Sequence, residues 1–122
     1  MKKILAGLMV LLAFSAMAQE KPQQEQNTSP VWVTSMDEAK KIAAEKALTI
    51  FAFFTGSDWC PWCMRMDSEI LSTPEFKKYA GENLVLLKID FPRKTRLTKE
   101  QMDANITLAE TYKIEGFPTV VL

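Results

Sequence analysis

The chain is 122 residues long, with 15 basic and 15 acidic side chains, no histidine, and 48% hydrophobic residues. This balance fits one small globular domain and excludes both a long disordered chain and a strongly basic nucleic-acid binder. No nucleic-acid partner is expected.

At the amino terminus, Met1-Lys2-Lys3 supplies a positive end, Ile4 to Phe14 an apolar stretch, and Ala16-Met17-Ala18 a small-residue cleavage site. Residues 1–18 therefore read as a signal peptide removed after Ala18. The uncharged run from Ile4 to Ala18 is shorter than the roughly 18 to 20 residues that span a bilayer, which favours cleavage over a retained anchor. Export delivers the protein to the periplasm or another oxidising compartment, where disulfides persist. Residues 19–30, QEKPQQEQNTSP, are polar, rich in Gln and without hydrophobic period, and read as a flexible linker.

The folded domain, residues 31–122, begins near Val31 and Trp32. Ser35 followed by Glu38 is a capping-box pattern opening a helix through about Ala47, with Ala39, Ile42 and Ala43 on its apolar face. Leu48 to Phe54, LTIFAFF, is a continuous apolar run of the kind found in a strand buried on both faces. It leads directly into GSDWCPWCMRM, which holds both cysteines of the chain, Cys60 and Cys63. Ser57 and Asp58 are candidate caps for a helix from Cys60 to about Leu71, and Thr73-Pro74 restarts a helical stretch with Pro at its first position.

Leu84 to Asp90, LVLLKID, is a second buried strand. Phe91 to Thr98 reads as a solvated loop, because Arg93, Lys94 and Arg96 are too few for an anion-binding patch. Thr98 with Gln101 forms another capping-box pattern for a helix to about Tyr112, and Gly116-Phe117-Pro118 leads into a short last strand, Thr119 to Leu122. Strands alternating with helices imply an α/β fold, a central sheet flanked by helices. So short a final strand leaves an apolar edge uncovered, and the chain reads as a fragment.

The cysteine pair admits three readings. A structural zinc site needs four Cys or His ligands and the chain offers two Cys and no His, so no metal is expected. A purely structural disulfide would close so small a loop that it removes little denatured-state entropy, and would be a poor staple. A redox pair uses the same spacing with a purpose. At the first turn of a helix the unpaired backbone N–H groups and the positive end of the macrodipole stabilise a thiolate, which lowers the pKa expected of Cys60. Cys63, one turn on and more buried, is then the resolving thiol that attacks a mixed disulfide at Cys60. Pro61 sets the helix start, and Trp59 and Trp62 form an apolar rim for a partner polypeptide, with core packing as the alternative for either indole.

A buried strand, W-C-x-x-C at a helix start, and G-F-P-T after a further strand and helix together resemble the thioredoxin superfamily, and in particular exported thioredoxin-like proteins related to thiol:disulfide interchange proteins. The resemblance covers Val31 to Leu122 and implies a thioredoxin-like fold lacking its last strand and helix. It also implies a cis peptide before Pro118, with the Phe117 backbone free to pair with an extended substrate. The activity implied is thiol-disulfide exchange with protein thiols and disulfides, without a cofactor, coupled to a membrane or periplasmic electron donor. A thioredoxin-fold binding or chaperone module without redox turnover is the alternative. Thioredoxins carry a buried acid in the strand before the motif and a lysine in the next strand. The matching positions here are Phe53 and Leu86, so that proton path is absent, and Asp58, Glu115 or water are the candidate proton carriers.

Overall fold

Thr49–Thr55 forms the strand β2 at the centre of the molecule, and its neighbours explain why an uninterrupted apolar run sits there. The computed structural model describes residues 30–122; the expected signal peptide and residues 19–29 of the expected linker lie outside the described residues. In chain order the elements are β1 (Trp32–Val33), α1 (Met36–Lys46), β2, α2 (Pro61–Met66) with a wide π-helical turn over Asp67–Leu71, α3 (Pro74–Asn83), β3 (Leu84–Asp90), α4 (Lys99–Thr111) and β4 (Thr119–Val121). They build one mixed sheet in the order β1-β3-β2-β4, in which β3 runs parallel to both β1 and β2, and β4 antiparallel to β2. This is the α/β architecture expected from the sequence, a central mixed sheet flanked by helices.

Because side chains alternate across a strand, β2 and β3 each feed two layers. Ala52, Phe54, Val85, Leu87 and Ile89 enter one buried core with Val33 and Ala39, against which Met36, Ile42 and Ala43 of α1 and Leu108 and Ala109 of α4 pack. The opposite face carries Phe51, Phe53 and Leu86. There Trp32 meets Phe51 edge-on at 6.3 Å between ring centroids, and Phe51 meets Phe76 of α3 at 5.5 Å. Apolar side chains thus enter both layers from the middle of the strand, which is why LTIFAFF shows no period of two.

Local chemistry sets the helix limits. Ser35 caps α1 by accepting the Glu38 amide, and Ala47 ends it in the left-handed region, φ 53°, with its N–H bonded to the Ala43 carbonyl. Thr73 caps α3 by accepting the Phe76 amide ahead of Pro74. Thr98 caps α4 through the Gln101 amide at 3.1 Å. The reciprocal half of that capping box is not made: the Gln101 side chain donates instead to the carbonyl of Thr34, the residue after β1, and to Oδ1 of the buried Asn105 one turn along α4.

One element was not anticipated and two expectations need correction. Trp32–Val33 is a strand, a two-residue segment too short for a periodic signal, and it pairs with Leu86 and Leu87. The helix expected from Cys60 to Leu71 is α-helical only to Met66. Beyond it the Ser72 amide reaches back five residues to the Asp67 carbonyl at 2.8 Å, while the Ser68 hydroxyl donates to the Arg65 carbonyl and offers that group a side-chain partner. Finally, neither Ser57 nor Asp58 caps α2, because long-range partners claim both.

Candidate active site

Five residues, Gly56 to Cys60, separate the end of β2 from α2, and two of them make the turn. The amides of Trp59 and Cys60 both donate to the Gly56 carbonyl, at 3.3 and 2.9 Å. Gly56 is required by close approach: a Cβ there would lie 2.6 Å from Cζ2 and from Nε1 of the Trp59 indole. Cys60 is itself the cap of α2, its Sγ accepting the Cys63 amide at 3.3 Å, and Pro61 follows at the first helical position, where its missing N–H costs nothing.

Cys60 and Cys63 are disulfide-bonded, with Cα atoms 5.2 Å apart. Cys60 is 5% exposed and Cys63 1%, so the edge of the pair that meets solvent belongs to Cys60. The Phe117–Pro118 peptide is cis, as the resemblance implied, and the Phe117 carbonyl oxygen lies 3.9 Å from Cys60 Sγ. The Thr119 hydroxyl donates to the Gly116 carbonyl at 2.7 Å and closes the turn that carries this peptide into β4. A segment distant in sequence thus lies over the redox sulfur.

Trp59 braces the site. Its indole N–H donates to the Phe91 carbonyl at 2.7 Å, its ring meets Phe117 edge-on at 6.0 Å, and the Arg93 guanidinium stacks over it at 3.7 Å. Trp62 differs. It is 67% exposed on α2, with Arg65 at 5.7 Å from its ring, and presents an apolar surface beside the cysteines.

Asp58 holds the basic loop in place. One carboxylate oxygen accepts the Arg93 amide at 2.9 Å and the other accepts those of Lys94 and Thr95 at 2.8 and 3.1 Å. The Arg93 amide, opposed by partial desolvation and reinforced by the other two amides and the Lys94 charge, keeps the Asp58 carboxyl below its ordinary range. Ser57 is tied by its amide and its hydroxyl to the Asp90 carboxylate at the end of β3. Glu115 is exposed in the loop leading to Phe117. Among the described residues no three His, Cys, Asp or Glu side chains gather as a metal site would require.

Sequence reading missed several residues around the pair. Phe53 is in register with Lys88, not Leu86, so a lysine two residues further along β3, and hence on the same face, stands beside the strand that leads to the cysteines. Asp67, four residues after Cys63, lines the same small cavity as Cys63 and Lys88. Asn105 is 1% exposed and donates to the Asp90 carbonyl at 2.8 Å. The i, i+4 spacing of Cys63 and Asp67 is visible in the sequence; the register that adds Lys88 is not.

A sequence model for a family described as thioredoxin-like matches residues 31–122. Among curated proteins, the chain is 35% identical over 119 residues to the disulfide bond reductase DsbH of Chlamydia pneumoniae, an alignment covering 93% of this chain and 72% of that protein. It is 29% identical over 120 residues to the thioredoxin-related protein DsbJ of the same organism, covering 98% of this chain but only 34% of the longer one. Among solved structures, a DsbH oxidoreductase superposes with a TM-score of 0.70 at 38% identity, over 84% of this chain and 72% of that one. A thioredoxin from Thermus thermophilus reaches 0.54 at 24% identity over 76% of this chain and 63% of that one, a likeness of fold alone.

Proposed function

The chain belongs to the thioredoxin-like family, and on that premise we propose that this thiol-disulfide oxidoreductase is exported and acts as a reductant of disulfides in other exported proteins. Cys60 in its thiolate form attacks a substrate disulfide, giving a mixed disulfide and releasing one substrate thiolate. Cys63 then attacks Cys60 Sγ, the Cys60–Cys63 bond forms, and the second substrate sulfur leaves. Two electrons pass to the substrate, and a dithiol donor in the same compartment restores the reduced pair. No organic cofactor is needed for any step. The reductant direction is supported by likeness to a protein named as a disulfide bond reductase, and export by the charged and apolar pattern of residues 1–18.

The observation that carries the reading is the placement of Cys60 Sγ. It accepts the Cys63 amide, lies near the protein surface, and sits 3.9 Å from a backbone carbonyl next to a cis proline. An extended substrate strand can pair with the Phe117 backbone there, flanked by Trp62 and by the exposed edge of Pro61. The test is insulin reduction driven by an external dithiol, together with trapping by Cys63→Ser. The wild type is expected to turn over, Cys60→Ser to be inactive, and Cys63→Ser to accumulate a covalent adduct through Cys60. Turnover by Cys60→Ser at the wild-type rate would overturn the reading in favour of a binding module with incidental cysteines. The midpoint potential of the pair fixes the direction, since about 30 mV changes the two-electron equilibrium tenfold.

A further inference from the structure

Turnover through Cys63 demands a proton acceptor. The thiol is 1% exposed, and it must become a thiolate before it can attack the mixed disulfide at Cys60. Asp58 spends both carboxylate oxygens on loop amides, and Glu115 lies in the loop before Phe117. Neither borders the cavity that reaches Cys63. That cavity, about 110 Å³, is lined by Phe53, Thr55, Ser57, Met64, Asp67 and Lys88 together with Cys63. Its volume and polar wall admit water, whose share of liquid volume is about 30 Å³ per molecule.

The two charged groups in this wall arrive from different elements. Asp67 stands four residues after Cys63, on the same side of the helical segment, at the start of the π-helical turn. Lys88 comes from β3, in register with Phe53, with its ammonium 5.6 Å from the Trp32 ring centroid. Ser57, the remaining polar neighbour from the active-site turn, is bonded to the Asp90 carboxylate, which therefore already has its partner. Asp67 has no such engagement for its carboxylate among the described hydrogen bonds and ion pairs.

We propose that Asp67 accepts the Cys63 proton through this cavity, and that the Lys88 ammonium steadies the thiolate formed there. The inference rests on the dithiol turnover proposed above. In the step concerned, the Cys63 S–H bond breaks and its proton passes to the Asp67 carboxylate, directly or through cavity water. The Cys63 thiolate then forms the bond to Cys60 Sγ while the Cys60–substrate bond breaks, and the substrate sulfur leaves with the electron pair. The carboxylic acid so formed returns its proton to solvent, to which the cavity is open. Lys88 exchanges no proton in this step and acts only by its charge.

An aromatic disulfide that releases a coloured thiolate separates the two chemical steps. Mixed with the reduced protein, it gives one burst when Cys60 attacks and a second when Cys63 resolves. With Asp67→Asn the second phase is expected to slow about a hundredfold at neutral pH, the lower end of general-base contributions, and to rise with pH as the thiol ionises on its own. The first phase should keep the wild-type rate, and Asp67→Glu should restore much of the second. Lys88→Met is expected to slow the second phase more mildly, and Lys88→Arg to rescue it. An unchanged rate and pH profile of the second phase in Asp67→Asn would overturn the assignment, as would equal slowing of both phases. A wild-type protein that gives no second phase at all would instead overturn the dithiol reading itself.

Discussion

The amide of Cys63 donates to the sulfur of Cys60 at 3.3 Å, so the redox sulfur occupies the position in which Ser, Thr or Asp ordinarily caps a helix. A cap that accepts an N–H is stabilised by negative charge, and the sulfur gains more from that bond as a thiolate than as a thiol. In the reduced protein Cys60 is therefore expected to alkylate faster than Cys63. The comparison uses the single-cysteine variants, Cys63→Ser and Cys60→Ser, at a pH about two units below the ordinary thiol value of roughly 8.5. Cys60 should react about tenfold faster or more, because it is both the sulfur that caps the helix and the more exposed of the two. Equal rates would mean that the cap bond does not distinguish the two sulfurs.

Gly56→Ala tests the turn that aims Cys60. The new methyl group would press on an indole already fixed by its bond to the Phe91 carbonyl and by the stacked Arg93, so the ring cannot swing aside freely. Overpacking of this kind costs about 1 to 3 kcal/mol. Chemical denaturation is expected to show that loss, accompanied by a changed near-ultraviolet circular dichroism signal from the displaced tryptophan. Insulin reduction should fall as well, because Trp59 immediately precedes Cys60. A variant with wild-type stability and spectrum would show that the turn yields without cost.

How much of this was legible in the sequence divides along the range of the interactions. The strand Thr49–Thr55 could be read because both its faces are buried from Ala52 onward, which leaves Thr49, exposed at the strand's start, as the one polar residue of LTIFAFF. Ser35, Thr73 and Thr98 could be read as caps because a cap and its amide are three residues apart. Ser57 and Asp58 were misread by the same logic. Their partners, Asp90 and the amides of Arg93 to Thr95, lie more than thirty residues away, where no local pattern reports them. The cis peptide at Pro118 came from resemblance, and Lys88 was missed because a strand's register is set by the whole sheet rather than by its own residues.

Asn105 joins α4 to the end of β3 and through it to the active-site turn. Its Nδ2 donates to the Asp90 carbonyl, its Oδ1 accepts from Gln101, and the side chain is almost fully buried. Asn105→Ala leaves that partly buried carbonyl without its side-chain donor, an expected loss of about 1 to 3 kcal/mol. Asn105→Asp should cost at least as much, because it replaces the donor by an acceptor and buries a charge. Thermal melts of both variants check the order. If the aspartate variant melts above the alanine variant, the Asp90 bond is not what Asn105 supplies.

Asp58 makes the basic loop sensitive to acid, and the sign follows from its shifted carboxyl. The folded protein holds this group below its ordinary value through the Arg93 amide first and the Lys94 and Thr95 amides after it, so the unfolded chain binds its proton at higher pH than the folded one. The stabilisation is therefore fully present above the unfolded value of about 3.9 and is lost as pH falls from there through the lower folded value. Hydrogen exchange at the amides of Arg93, Lys94 and Thr95 should accelerate in that acid window, after correction for intrinsic rates, while the amides of β2 and β3 stay protected. Asp58→Asn presents an N–H₂ group where the carboxylate accepts, and is expected to expose the same three amides at neutral pH and to lower the melting temperature. Because Arg93 stacks on Trp59 beside Cys60, the freed loop should also weaken the bond between Trp59 and the Phe91 carbonyl and reduce turnover. If Asp58→Asn leaves exchange at those three amides unchanged, the carboxylate does not hold the loop against the active site.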